Sequence, residues 1–165
     1  MPKAFAAQRS HLRSVETQTR PAPDLHPAPG GFGGHVSATE TWRRLQEQSD
    51  AVLVDIRTHA EWAFVGFPDL ADLDSALLQV EWQQFPGMER NPRFLRELQA
   101  QGVTRRHSVY LICRSGIRSR TAAEFLAQQG YITYNVADGF EGPLDERGHR
   151  GGSGWRAEGL PWKQS

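Results

Sequence analysis

The most informative part of this chain is Val109-Tyr110-Leu111-Ile112-Cys113-Arg114-Ser115-Gly116-Ile117-Arg118-Ser119. Its first four residues are apolar and typical of a buried strand, and a helical pattern follows the loop and ends at Gly130. A cysteine between a strand and a helix lies at the carboxyl edge of an α/β sheet, where such folds bind their ligands. The stretch therefore predicts a site around Cys113, the single cysteine of the chain.

The loop after Cys113 has features that favour a bound anion. Gly116 allows successive backbone N–H groups to turn inward, and the start of the next helix adds the positive end of its dipole. Arg114 and Arg118 add positive charge, which favours the thiolate form of a cysteine over the thiol. A free cysteine is most often an inert packing residue. The glycine, the two arginines and the helix start together favour a reactive nucleophile instead.

Apolar runs alternate with helical patterns along most of the chain. The predicted strands are 51–56, 76–82, 108–112 and 131–136, and the predicted helices are 37–48, 59–65, 92–101 and 119–129. Strands that are apolar throughout are typical of a parallel sheet covered on both faces. The alternation therefore predicts an α/β fold with helices on both sides of a parallel sheet.

The first 34 residues differ in composition from the rest. They are proline-rich between Pro21 and Pro29 and end in a glycine run at residues 30–34, so residues 1–34 are predicted to be a disordered lead-in. Their basic, acid-poor character also resembles an organelle transit peptide, but the proline content favours the simpler interpretation. Residues 35–165 are predicted to form one domain.

The motifs of the chain resemble those of the rhodanese family of sulfurtransferases. The resemblance rests on Cys113 to Arg118, on Val52 to Arg57 followed by Glu61-Trp62, and on the strand and glycine turn of Tyr131 to Gly139. It covers residues 37–162. It implies a rhodanese-like three-layer α/β/α fold with a central parallel sheet of about five strands. It also implies that Cys113 carries a transferable sulfur as a persulfide, with the following loop folded around it.

This resemblance predicts the chemistry of the site. Cys113 is the expected catalytic nucleophile, which attacks the outer sulfur of a donor such as thiosulfate and passes it to cyanide or a thiol. The expected substrate-binding residues are Arg114, Ser115, Gly116, Ile117, Arg118 and Ser119, whose amides hold the persulfide and whose arginines bind the donor charge. No general base is needed, because an ionised thiolate has no proton to lose.

Asp55 and Arg57 alternate onto the same side of the strand at residues 51–56. They could hydrogen-bond the loop around Cys113, or they could form an ordinary ion-pair framework in which Arg57 also reaches Glu61. We favour the framework, with both residues supporting the site rather than reacting.

Two segments depart from the family pattern. Gly66-Phe67-Pro68 replaces the usual glycine-histidine-isoleucine sequence and is followed by a longer passage at residues 69–91, and residues 144–154 look like an insertion. The insertion contains three groups that could bind a dianionic donor, namely Arg147, His149 and Arg150. A solvated loop is the favoured interpretation. Trp155, Leu160 and Trp162 are expected to hold the terminus against the domain.

Composition excludes several classes of protein. The 19 cationic and 19 acidic residues cancel, which gives no electrostatic case for binding nucleic acid or an anionic membrane. No apolar run approaches the roughly 18 residues that span a bilayer. A single cysteine excludes an internal disulfide and fits a reducing, cytoplasmic setting. The histidines show no metal-ligand spacing, so neither a metal nor a cofactor is predicted. The expected partners are a small anionic sulfur donor and a thiol or cyanide acceptor.

Two alternatives stay open. A sulfur-carrier or interaction module that serves another enzyme would have the same sequence, with a protein as sulfur donor or acceptor. A phosphatase or arsenate reductase is less favoured, because related phosphatases place five residues between cysteine and arginine, whereas four separate Cys113 from Arg118. A shorter ring suits one sulfur atom better than a tetrahedral oxyanion, and a second cysteine for arsenate reduction is missing.

Overall fold

The computed structural model describes residues 30–165. In chain order, their elements are β1 (Phe32–Val36), α1 (Ala38–Glu47), β2 (Ala51–Asp55), α2 (His59–Val65), β3 (Phe67–Pro68), β4 (Leu77–Gln79), β5 (Gln83–Gln84), β6 (Glu89–Arg90), α3 (Phe94–Ala100), β7 (Ser108–Ile112), α4 (Ile117–Gln128), β8 (Ile132–Val136) and β9 (Trp162–Lys163).

Five strands form a parallel sheet in the order β1-β8-β7-β2-β4. All five residues of β7 are buried, which places this strand at the centre. Side chains of α3 and α4 pack in one apolar layer against the sheet, and α1 and Trp155 pack in the other. The predicted three-layer α/β/α fold with about five parallel strands is therefore confirmed. Both sheet faces are covered, which is why the strands are apolar throughout.

The glycine run predicted to be disordered contains a strand. β1 pairs in parallel with β8, so the prediction is wrong for residues 32–34. Backbone hydrogen bonds to β8 supply the order that the side chains lack, and a Cβ at Gly33 would lie 2.2 Å from the Tyr134 ring. Glycine therefore allows the strand to lie directly against that ring. The remainder of the predicted lead-in, residues 1–29, lies outside the described residues.

Two other predicted boundaries move for local reasons. α3 begins at Phe94 rather than at residue 92, because the Asn91 side chain accepts the Arg93 N–H at 3.0 Å and forms a turn before the helix. The segment predicted as loop at residues 83–91 contains the short antiparallel hairpin of β5 and β6. The helix start predicted at Ser37 is confirmed, since its hydroxyl accepts the Glu40 N–H at 3.0 Å.

The C-terminal segment returns to the domain. Trp155 is fully buried and donates its Nε1–H to the Pro161 carbonyl at 2.8 Å. β9 pairs antiparallel with β3, so the residues that depart from the family pattern serve as the docking strand for the terminus. The side chain of Trp162 is 36% exposed, and its strand is held by backbone pairing. None of the helices between residues 30 and 165 has the length and apolar character needed to cross a bilayer.

Candidate active site

Cys113 follows the last residue of β7 directly, at the carboxyl edge of the central strand. Its side chain is 1% exposed, yet its Sγ atom is not surrounded by hydrocarbon alone. Sγ accepts a hydrogen bond from the Gly116 N–H at 3.1 Å and lies 3.1 Å from the Ser119 hydroxyl. Polar groups therefore converge on the sulfur, and Gly116 is the loop amide that the structure directs at it. Such donors stabilise a negatively charged sulfur.

The conformation of Gly116 brings its amide to the sulfur. This residue precedes α4 with a left-handed backbone (φ 92°), and a Cβ there would lie 1.8 Å from the Ala137 carbonyl oxygen. Its own carbonyl accepts a hydrogen bond from Asn135 Nδ2 at 3.0 Å. The loop is thus pressed against the end of β8, and only glycine fits that space.

A buried polar network extends from the sulfur into the sheet. The Ser119 hydroxyl lies 2.6 Å from Asn135 Oδ1, and Asn135 Nδ2 lies 3.0 Å from His35 Nδ1. A hydroxyl has one proton, so Ser119 can donate either to Sγ or to Asn135 but not to both. Asn135 was not predicted as a site residue. The available signal was its polarity in a strand whose other residues are apolar or β-branched.

The two loop arginines differ in environment. Arg118 makes two hydrogen bonds to Glu61 of α2, at 2.7 and 2.9 Å, and both side chains are less than a fifth exposed. Its charge is therefore compensated within the protein rather than free for a donor anion. Arg114 is exposed, and none of the ion pairs within residues 30–165 includes it. Glu61 joins α2 to the sulfur loop, so it belongs to the site although the sequence placed it near Arg57.

Asp55 and Arg57 form an ion pair of 2.7 Å, with both side chains 0% exposed. Arg57 also donates to the Gly66 carbonyl at 2.7 Å, and its guanidinium carbon lies 4.2 Å from the centre of the Phe140 ring. This geometry corresponds to the framework interpretation. The expected contact of Arg57 with Glu61 is replaced by the pairing of Glu61 with Arg118.

A cavity of about 580 Å³ opens beside the loop. Its lining residues are Thr58, Ala60, Glu61, Val65, Phe85, Met88, Arg114, Ser115, Ile117, Arg118 and Arg150. Four of these follow Cys113 closely in sequence, two in the loop and two in the first turn of α4. Arg150 comes from the segment predicted to be a solvated loop, and that interpretation is wrong for this residue, which is half-buried and donates to the Gly142 carbonyl at 2.8 Å. Arg147 and His149 are exposed and do not line the cavity.

Within the described part of the chain, no group of three or more His, Cys, Asp or Glu side chains is placed to hold a metal ion.

The pair of Glu61 and Arg118 predicts a specific pH dependence of stability. Burial acts to raise the pKa of Glu61, but hydrogen bonds from Arg118 and Thr58 outweigh it and lower the pKa from 4.5 to about 2. A carboxyl whose pKa falls on folding contributes its full stabilisation when the pH is above the pKa that it has in the unfolded chain. That contribution disappears as the pH falls toward 2. We therefore expect Glu61→Gln to reduce the free energy of unfolding by about 2 kcal/mol at pH 7.

Urea unfolding at several pH values tests this expectation. The difference between wild type and Glu61→Gln should shrink between pH 4.5 and pH 2. The amide oxygen of glutamine can keep the helix cap with Thr58, while the variant loses the negative charge and one of the two oxygens that accept from Arg118. The control is Glu124→Gln, which removes an exposed pair with Arg120 and should have little effect at any pH. A difference for Glu61→Gln that stays constant with pH would contradict the assignment.

The sheet and the cysteine loop together identify the type of domain. A parallel five-stranded sheet with a cysteine loop between its central strand and a helix is the arrangement of a rhodanese-like domain. A rhodanese-related protein of Thermoplasma volcanium has the same fold, with a TM-score of 0.50 and 19% identity over 79% of this chain and 98% of that one.

The chain belongs to the STR4 middle domain family, which it matches over residues 33–165. It is similar to Rv0390 of M. tuberculosis, whose crystal structure superposes with a TM-score of 0.75 at 46% identity, covering 82% of this chain and all of that one. It is also 34% identical to a sulfurtransferase of Allochromatium vinosum over 89 residues, which is 54% of this chain and 66% of that protein.

Proposed function

We propose that this protein is a sulfurtransferase that moves a sulfane sulfur from a donor such as thiosulfate to a thiol or cyanide through a persulfide on Cys113. The observation that carries this proposal is the convergence of the Gly116 amide and the Ser119 hydroxyl on Cys113 Sγ, each at 3.1 Å. The similarity to a sulfurtransferase of Allochromatium vinosum supports the same class of reaction.

The first half-reaction transfers a sulfur atom to Cys113. The Cys113 thiolate attacks the outer sulfur of thiosulfate, the sulfur–sulfur bond of the donor breaks, and sulfite leaves with the electron pair. Donors aimed at the sulfur stabilise the charge that remains on the persulfide. Arg114 is the loop cation with no carboxylate partner among the described residues, so it is the better candidate to bind the donor. Arg118 acts through its pair with Glu61 by holding the loop.

Intact-mass spectrometry before and after incubation with thiosulfate tests the proposal. Wild type should gain one sulfur atom, Cys113→Ser should gain none, and cyanide or a thiol should return wild type to its original mass. Wild type that never gains sulfur would overturn the proposal. Hydrolysis of an aryl phosphate without any sulfur gain would support phosphatase chemistry instead. A protein that gains sulfur and then releases it only to another protein would favour the sulfur-carrier alternative.

Ser119 should contribute to the rate of the first half-reaction. Ser119→Ala removes one of the two polar groups that contact Cys113 Sγ, so we expect persulfide formation to slow by about tenfold, the loss of roughly 1.4 kcal/mol of charge stabilisation. The rate of sulfite release from excess thiosulfate measures the effect. Thr121→Ala, an exposed change on the same helix, is the control and should match wild type. Equal rates for Ser119→Ala and wild type would show that this hydroxyl serves only Asn135.

A further inference from the structure

The cavity beside the sulfur loop is larger than small ions require. Its volume is about 580 Å³. Cyanide and thiosulfate would each fill a small part of it. Cavities of about 300–1,000 Å³ are of the size that buries organic ligands, so this one has room for an organic substrate.

The cavity has an apolar side built from different segments. Phe85 and Met88 come from the hairpin of β5 and β6, Val65 from α2, and Ile117 from the first turn of α4. Phe85 is 65% exposed and Ile117 is 76% exposed, so these groups lie open to solvent beside the sulfur loop. An inorganic anion gains nothing from such a surface, whereas a hydrocarbon chain is removed from water by it.

The cavity also carries an uncompensated positive charge. Arg118 and Glu61 neutralise each other, which leaves Arg114 and Arg150 without a carboxylate partner among the described residues. Arg150 uses one N–H group on the Gly142 carbonyl, and a guanidinium has five N–H donors. The remaining donors can bind an anion. Arg114 belongs to the sulfur loop itself, whereas Arg150 is supplied by the separate segment at residues 144–154.

From these features we propose that the sulfur acceptor is an organic thiol with a carboxylate on an apolar chain, and that Arg150 selects it. This inference rests on the proposed function. The acceptor thiolate attacks the outer sulfur of the Cys113 persulfide and forms a new sulfur–sulfur bond. The bond to Cys113 breaks, and its electron pair returns to Sγ as thiolate. Both reacting groups are anionic, so cations at the cavity reduce their repulsion.

A single-turnover experiment with matched thiols tests whether the acceptor carboxylate matters. The protein is first converted to its persulfide with thiosulfate, freed of excess donor and checked for its added sulfur. It is then mixed with 6-mercaptohexanoate or with 6-mercaptohexanol, which share the thiol and the chain and differ in the carboxylate. At low thiol concentration we expect wild type to lose its sulfur about fivefold faster to the carboxylate. Arg150→Gln should lose that preference, and 1 M salt should reduce it in wild type.

Arg147→Gln is the matched control, because Arg147 belongs to the same segment but is exposed and lies outside the cavity. This variant should prefer the carboxylate thiol as strongly as wild type does.

The apolar side is tested with 6-mercaptohexanol against 2-mercaptoethanol, and Phe85→Ser should reduce the advantage of the longer chain. Equal rates with the charged and neutral thiols, or an unchanged preference in Arg150→Gln, would overturn the inference alone. Failure of the protein to take up sulfur before mixing would overturn the proposed function and the inference together.

Discussion

Replacing Gly116 with alanine should reduce persulfide formation by about a hundredfold or more and lower the free energy of unfolding by about 3 kcal/mol. The left-handed backbone of this residue is unfavourable for alanine, and the new Cβ would lie 1.8 Å from the Ala137 carbonyl oxygen. Backbone atoms at the end of β8 cannot yield as a flexible side chain would. The loop must therefore move, and the amide that contacts Cys113 Sγ moves with it. Sulfur gain by intact mass and urea unfolding measure the two effects.

Gly102 provides the matched control for this variant. It has almost the same left-handed backbone, with φ 91° against 92°, but nothing lies within 4 Å of the position that a Cβ would take there. Gly102→Ala should therefore show only the backbone strain, about 1 kcal/mol, and should form the persulfide at the wild-type rate. Equal losses of stability in the two variants, with sulfur gain preserved in both, would show that the close approach of Gly116 to β8 has no role.

Asp55→Asn should cost about 3–5 kcal/mol of stability, because it leaves the charge of Arg57 buried without its partner. Both side chains are 0% exposed, and Arg57 Nη1 already has no hydrogen-bond partner among the described residues. Asparagine keeps nearly the same shape, so the loss reports the charge rather than a cavity. The free energy of unfolding in urea measures it, and a loss this large is a substantial part of the stability of a typical domain.

Two comparisons separate this effect from a general loss of polar contacts. The double variant Asp55→Leu/Arg57→Met removes both charges and should recover much of the stability, since apolar replacement of a buried pair is often neutral or stabilising. Glu124→Gln breaks an exposed pair and should cost less than about 0.5 kcal/mol. An Asp55→Asn protein no less stable than Glu124→Gln would contradict the role assigned to the buried pair.

Local pattern was sufficient for the central elements. The strands at residues 51–56 and 108–112 and the capped helix after Ser37 appear within one residue of their predicted bounds. Each depends on features that neighbouring residues carry, namely apolar runs and a capping hydroxyl. β1 was missed for the opposite reason. Its glycines have no side-chain signal, and its order comes from pairing with β8, which is about a hundred residues away in sequence.

Contacts between distant segments were the least predictable part of the site. Glu61 pairs with Arg118 across 57 positions of the sequence, and Asn135 lies beside Ser119 because β8 is next to β7 in the sheet. Arg150 is held at the cavity by its bond to the Gly142 carbonyl and by the bond from the Gly151 N–H to the Glu141 carbonyl at 2.9 Å. None of these pairings has a fixed separation in sequence, so no local motif could predict them.

Local sequence patterns were enough to establish the class of fold, the cysteine at the edge of the sheet and the glycine that must follow it. Those features follow from periodicity and from the backbone freedom of single residues, which are local properties. The folded arrangement was needed to show which arginine is neutralised, which one stays open to the cavity, and which polar groups contact the sulfur. Electrostatic and hydrogen-bond partners depend on distance in space, and the order of strands in the sheet sets that distance.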